Sequence, residues 1–329
     1  MSSKEFRKIV WNYYKENGRH DLPWRKTTDP YKIMVSEVML QQTQVPRVIE
    51  KYKEFLDAFP NVETLARSNL ANVLKIWSGM GYNRRGKYLH DTAIEVVKNY
   101  KGEIPRDVVA LRALPGIGPY SASAILMFAF NIPDILIETN VRAAFIHSFF
   151  KRRTYEVLIS DKQLLPLIAD AAEGQDPRTW HWALMDYGSH LKKLHKNPSR
   201  ASAHYTKQSK FEGSLRQVRG AILRELHTGA LSESSLYGKL NLSVKGFGKV
   251  KPSESSHRQR SVVRPSLRSG GSGKVSPKDA PERPARTVLA IRTVLAGSTE
   301  ISKKRIKEAL AGLERDGMIR KEGGKWRIA

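Results

Sequence analysis

The chain of 329 residues contains no cysteine. That excludes a disulfide framework, a thiolate nucleophile and any zinc or iron–sulfur site built on cysteine. No apolar run approaches the ~20 residues that span a bilayer, and the opening Met1-Ser2-Ser3-Lys4-Glu5-Phe6-Arg7 lacks the apolar core of a signal peptide. A cytoplasmic, nucleoid-associated location is the expectation. Acidic residues are scarce: 32 Asp plus Glu stand against 57 Lys plus Arg, a formal charge of +25. Such an excess attracts polyanions in a salt-dependent way and says little about fold. A generally basic, ribosome-associated protein would show the same balance, so charge alone does not choose between them.

Alternating apolar patterns are also missing from residues 1–213. Apolar residues instead recur at three- and four-residue spacing in Phe6–Tyr14, Tyr31–Val45, Val48–Phe59, Leu89–Val97, Ser121–Phe130, Val141–Phe150 and Trp180–Leu191. Gly and Pro mark the breaks at Asp29-Pro30, Gly79-Met80-Gly81, Ile104-Pro105 and Asp176-Pro177. The fold class read from this is all-α for residues 1–213. Residues 245–286 change character: 18 of the 42 are Gly, Pro or Ser, 11 are Lys or Arg, and only eight are apolar. That composition reads as a basic disordered insert. On either side, residues 214–244 and 287–329 are expected to make a small winged-helix-like α+β module. Its helices would be Leu215–Leu226, Leu231–Leu240 and Ser302–Asp316, followed by two strands about Glu322-Gly323-Gly324.

The stretch richest in meaning is Leu114-Pro115-Gly116-Ile117-Gly118-Pro119-Tyr120. It reads as a tight turn opening a helix. Gly116 and Gly118 can take positive φ and leave the backbone open to a ligand, and helix-start amides favour an anion such as a DNA phosphate. Glu37 lies in Ile33–Leu40, where six of eight residues are apolar. A carboxyl held among them is desolvated and can serve as a general acid near neutral pH; an exposed Glu on the polar side of a helix is the plainer reading. Gln41-Gln42-Thr43-Gln44 continues that segment and suits hydrogen bonds to base edges. The loop Gly79–Arg85 offers Tyr82 as a wedge between bases, with Arg84 and Arg85 for phosphates; a turn with a packed Tyr fits equally. Glu138 and Asn140 begin another helix, where capping would explain them alone. With Glu37, however, two carboxylates border one cleft, the pair that glycosidic-bond cleavage uses.

Together, Leu22-Pro23-Trp24-Arg25, Asp29-Pro30-Tyr31, Ser36–Val45, Gly79-Met80-Gly81-Tyr82 and Leu114–Tyr120 resemble the helix-hairpin-helix DNA glycosylases, and within them the MutY-type adenine DNA glycosylases. The resemblance covers roughly residues 5–213, and Ser36–Val45 is its most specific part. It implies a monofunctional base-excision enzyme that removes adenine opposite 8-oxoguanine or guanine. It makes Glu37 the acid that protonates adenine, Glu138 and Asn140 the stabilisers of the sugar cation, Tyr82 the intercalating residue, and Gln41, Gln42, Gly116 and Gly118 DNA contacts. Tyr120 stands where bifunctional relatives place a Schiff-base lysine. A sodium or potassium ion on the carbonyls of Pro115 and Ile117 also follows from the resemblance.

Three departures stand out. The family's usual Asp is Glu138 here. The four positions of its iron–sulfur cysteines fall at about Lys192, Ser199, Ser202 and Gln208, so a clusterless member is implied, with the basic loop Lys192–Lys210 left to meet phosphates by charge. The domain that reads 8-oxoguanine in typical members has no visible counterpart. Trp182 and Asp186 are candidate base-pocket residues. The expected partner is duplex DNA with a mispaired base, bound by a monomer. A glycosylase for thymine or uracil opposite guanine, or a DNA-binding protein with a decayed site, remain the alternatives.

Overall fold

A computed structural model describes residues 1–150, 158–246 and 303–329. The basic insert lies outside the described residues except for positions 245 and 246, which end a helix.

Helix α1 (Ser3–Asn17) begins on a capping box between Ser2 and Glu5. Helices α2 (Pro30–Leu40), α3 (Val45–Ala58), α4 (Val62–Arg67), α5 (Leu70–Ile76), α6 (Arg84–Tyr100), α7 (Val108–Ala113) and α8 (Pro119–Phe130) form one lobe. Its core includes Met34, Phe55, Trp77, Leu111 and Ile125, all buried. A second lobe joins α1 to α9 (Thr139–Phe149), α10 (Asp161–Ala172) and α11 (Pro177–Leu194) around Phe6, Phe145 and Trp180. The seam between the lobes is a small apolar cluster of Ile33 from α2 with Ala124, Met127 and Phe128 from α8 and Leu136 from the approach to α9.

Helices α2 and α8 are apolar on every side, the signature of elements buried all round. Each starts with Pro in its first turn: Asp29 caps α2 by accepting from the Tyr31 amide (2.9 Å), and Gly118 is the N-cap of α8. The apolar pattern Tyr31–Val45 is not one helix. Helix α2 stops at Leu40, Gln41 leaves the helical region, and Gln42 adopts φ 53°. The four polar residues therefore form the turn into α3, because consecutive Gln and Thr side chains offer no apolar face to continue the helix.

The C-terminal part packs α12 (Leu215–Leu226), α13 (Glu233–Gly246) and α14 (Lys303–Arg315) against an antiparallel sheet. The sequence reading has Leu231 and Ser232 in a helix. They form instead a short strand β1 that pairs with Trp326 and Lys325 of β3 (Lys325–Ile328), which pairs in turn with β2 (Ile319–Glu322). The sheet thus has three strands in the order β1-β3-β2. Its apolar core reaches Leu70 and Leu74 of α5, so this part seats directly on the first lobe. Asp316, just past α14, fixes that contact by receiving both Arg84 (2.8 Å) and Arg219. Among the described residues no helix is long and apolar enough to cross a membrane.

Candidate active site

The buried stretch of α2 carries Glu37 inward, with only 8 % of its surface exposed. Burial, and then the neighbouring charge of Glu138, push its carboxyl up to about 8. Among the described residues no hydrogen-bond donor or cation opposes that rise. Glu138, half-buried, is also raised, chiefly by desolvation, but its surroundings differ. It is the N-cap of α9: Oε1 accepts from the Val141 amide (3.0 Å), and Oε2 accepts from Asn140 Nδ2 (3.1 Å). Nearby Lys192 adds positive charge. Two carboxyl groups thus share one seam, one stripped of donors and one supplied with them. Environments that push a pair apart in this way define an acid and a base. At neutral pH Glu37 holds its proton, while the hydrogen bonds and the Lys192 charge around Glu138 work against the desolvation that raises it. Tyr120 completes the group. Burial, then the charges of Glu37 and Glu138, keep its phenol protonated far above neutrality.

The turn between α7 and α8 lies beside these residues. Gly116 has φ 75°, and a Cβ there would meet the Tyr88 side chain at 2.6 Å, so both conformation and space require glycine. Gly118 departs from the expectation: its φ of −82° suits any residue, and a Cβ would meet nothing within 4 Å. Its lack of a side chain leaves open surface at the start of α8. Gln41 Nε2 donates to Ser121 Oγ (3.2 Å), which ties the turn after α2 to the first turn of α8.

A cleft of about 1040 Å³ lies between Gln42, Tyr82 and Gly116 on one side and Arg216, Arg224 and His227 of the C-terminal part on the other. Glu37, Tyr120 and Glu138 do not line it.

Several predicted contacts are placed otherwise. Arg85 does not face solvent. Its guanidinium turns inward and donates to the carbonyls of Val38 (2.8 Å), Met39 (3.0 Å), Gln41 (2.5 Å) and Met80 (3.2 Å), and to Thr43 Oγ1 (3.0 Å). The open end of α2 needs donors for its last carbonyls, and this fork supplies them. Arg84 is held by Asp316. Tyr82 keeps its place in the loop with φ 45°, but its hydroxyl accepts from Gln208 Nε2 (2.5 Å) and from Arg216, whose guanidinium also lies 4.8 Å from the ring centre.

Asp186 is buried and already engaged. Arg25 grips it with two hydrogen bonds (2.7 and 2.9 Å), and Arg19 adds its amide (2.8 Å) and Nε (2.6 Å). Burial alone would raise this carboxyl; the hydrogen bonds and charge of Arg25, with Arg19, hold it below the ordinary value. Its stabilising contribution is therefore present above the ordinary Asp range and fades as pH falls through the lowered folded value. Asp186→Ala, which strands the buried Arg25, is expected to cost about 3–5 kcal/mol in urea unfolding at neutral pH. Trp182 stacks on Phe128 (centroids 6.0 Å) and under Arg25 (5.4 Å), as part of the interlobe packing.

The four positions that the resemblance assigns to cysteines hold four separate partners. Ser199 and Ser202 are buried in a short turn, where Ser199 Oγ donates to Asn197 Oδ1 (2.7 Å). A backbone bridge pins this turn: the Ile159 amide donates to Ala201 O (2.8 Å), and the Ala203 amide to Ile159 O (2.9 Å). Gln208 reaches Tyr82, and Lys192 Nζ donates to Asn140 Oδ1 (3.2 Å). The turn of this loop is fastened by ordinary hydrogen bonds, while Lys193, Lys196, Arg200, Lys207 and Lys210 are exposed along it. Among the described residues no group of three His, Asp or Glu could hold a metal ion.

Sequence reasoning missed Gly188 and the inward role of Arg85. A Cβ on Gly188 would drive into the Asn140 carbonyl, so α11 and α9 touch backbone to backbone at the site.

These features define a two-lobed helical fold with a carboxyl pair at the lobe seam and a glycine turn beside it. Residues 35–167 match the family model described as HhH-GPD superfamily base excision DNA repair protein. The adenine DNA glycosylase of Buchnera aphidicola subsp. Baizongia pistaciae (strain Bp) is 36 % identical over 193 residues, which is 57 % of this chain and 53 % of that one. The adenine DNA glycosylase of Mycolicibacterium smegmatis is 41 % identical over 128 residues, 39 % of this chain and 44 % of the relative. The thymine/uracil-DNA glycosylase of Pyrobaculum aerophilum is 36 % identical over 138 residues, 42 % of this chain and 60 % of the relative. Among solved structures, a thermostable thymine-DNA glycosylase aligns with a TM-score of 0.50 at 26 % identity, covering 57 % of this chain and 86 % of that one. The chain spans about half the length of the adenine-specific relatives.

Proposed function

We propose that this protein is a monofunctional adenine DNA glycosylase that hydrolyses the N-glycosidic bond of adenine mispaired with guanine or 8-oxoguanine. The observation that carries the reading is the split between the two carboxyls: Glu37 is buried without donors, and Glu138 accepts from two, the Val141 amide and Asn140 Nδ2, with Lys192 behind Asn140. Protonated Glu37 gives its proton to a ring nitrogen of a base turned out of the duplex. The glycosidic bond breaks, its electrons leave with the base, and the sugar becomes cationic. Ionised Glu138 stabilises that cation, and Glu37, now a carboxylate, takes a proton from the water that adds to the sugar. Tyr120 offers a phenol where a Schiff base would need an amine, which favours hydrolysis without strand cleavage.

The groove beside Gln42, Tyr82 and Gly116 suits duplex DNA bound by one copy of the protein, with the cations of α12 facing its backbone. Tyr82 is positioned as the wedge once it leaves Arg216 and Gln208. A monovalent cation on the Pro115 and Ile117 carbonyls belongs to the same proposal; Pro115 O already accepts from Thr92 Oγ1 (2.7 Å) and keeps a second lone pair. The same proposal divides the chain at 213 and gives the C-terminal part a winged-helix character.

The thymine/uracil relative gives a second reading its specific support. Single-turnover assays on duplexes with A opposite 8-oxoguanine, A opposite G, T opposite G and U opposite G separate them. Adenine release that needs alkali to show a nick is the expected result. Excision confined to T or U overturns adenine specificity, and no excision at all overturns the enzyme.

A further inference from the structure

Helix α11 approaches the site with one face. Gly188 brings its backbone against the Asn140 carbonyl, and Lys192, one turn later on that face, lies beside the Asn140 side chain. Lys192 Nζ donates to Asn140 Oδ1 (3.2 Å), and Asn140 Nδ2 donates to Glu138 Oε2 (3.1 Å). We propose that Lys192 is a positioning residue of the glycosylase site, an ammonium that fixes the Asn140 amide so that its NH₂ group, and not its oxygen, faces Glu138. The proposal rests on the glycosylase reading above.

The argument is one of donors and acceptors. An ammonium has three donors and no lone pair, so it accepts only the oxygen of an amide. The opposite edge of Asn140 must then present its NH₂ to Glu138, and an NH₂ hydrogen-bonds best to an ionised carboxylate. Were the amide turned over, its oxygen would face Glu138 and favour the protonated acid. Lys192 therefore selects the charge state that a cationic sugar requires.

The other charged or titratable groups around Glu138 do not duplicate this role. Glu37 on α2 and Tyr120 on α8 carry no positive charge, and their interactions with Glu138 only raise the cost of ionising the group. Arg142 on α9 is committed to Asp161 by two hydrogen bonds of 2.8 Å. Lys192, half-buried near the end of α11, is the cation bonded to the pair, and its charge lowers the Glu138 carboxyl against the desolvation that raises it.

The test uses the full chain with Lys192→Met and Lys192→Arg, and Lys192→Gln should Lys192→Met fail to fold. Three quantities are measured: single-turnover adenine excision at saturating protein, duplex affinity, and the carboxyl ¹³C titration of Glu138 in the free protein, assigned by its loss in Glu138→Gln. Lys192→Met is expected to slow excision about tenfold or more, leave affinity within about twofold, and move the Glu138 midpoint up by about one pH unit. Lys192→Arg should restore most of both. An unchanged Glu138 midpoint in Lys192→Met overturns the proposal whatever the rate does. A rate that falls only in step with affinity overturns it too, since a phosphate contact would do that. If the unaltered protein excises no adenine, the glycosylase reading fails, while the titration still shows whether Lys192 governs Glu138.

Discussion

Glu37→Gln is expected to lower single-turnover base excision at neutral pH by about 1000-fold or more while leaving duplex affinity within a few-fold. The amide matches the carboxyl in shape, so the packing of α2 against α8 survives, but it has no acidic proton to give the leaving base. Excision by the unaltered enzyme should fall as pH rises through about 8, where Glu37 loses its proton, and fall also in acid, where Glu138 takes one up. The same substitution should change stability in a predictable direction. The folded-state value of about 8 lies above the 4.5 of an exposed Glu, so the folded protein holds a proton that the unfolded chain releases. Stability from Glu37 is therefore fully present below about 4.5 and is lost as pH rises to about 8. Glutamine does not titrate. Glu37→Gln should melt increasingly above the unaltered protein across that window, by on the order of a few kcal/mol at its upper end. Thermal scans at several pH values check this; a gap that shrinks with rising pH would show that Glu37 is ionised in the fold.

Gly188→Ala is the second large effect, and here two contributions oppose each other. Replacing a helix-interior glycine normally stabilises by about 1 kcal/mol. At Gly188 the added Cβ would lie 2.5 Å from the Asn140 carbonyl carbon and closer still to its oxygen. Both sides of that collision are backbone, so no rotamer change relieves it and α11 must move from α9. We expect a net loss of about 3 kcal/mol in urea unfolding, the upper end of overpacking costs. The displacement falls on the residue that orients Glu138. Folded Gly188→Ala protein should accordingly excise about 100-fold more slowly, the usual cost of a shift near 1 Å at a reacting centre. Wild-type stability in this variant would mean that the two helices do not meet at Gly188.

These two residues differ in how visible they were beforehand. Glu37 was legible in the sequence because its environment is local: the apolar residues that bury it are its own neighbours on α2. The glycine turn at 114–118, the breaks at prolines and the helical character of residues 1–213 were legible for the same reason. Capping by Glu138 could also be read locally, since its partners are two and three residues away. Gly188 gave no such signal, because the atom that demands glycine belongs to another helix.

The sequence by itself determined the helical lobes, the turn that precedes α8 and the absence of thiolate ligands, all properties of composition or of residues a few positions apart. Tertiary structure decided what the long polar side chains do. Arg85 turns inward onto the end of α2, Asp186 locks Arg19 and Arg25 from 161 to 167 positions away, and Lys192 meets Asn140 across 52. It also turned Leu231-Ser232 into a strand, because their partners are Trp326 and Lys325 at the other end of the C-terminal part. The physical reason is common to all of these. A backbone pattern is set by near neighbours, whereas a flexible charged side chain finds its partner only after the helices have packed.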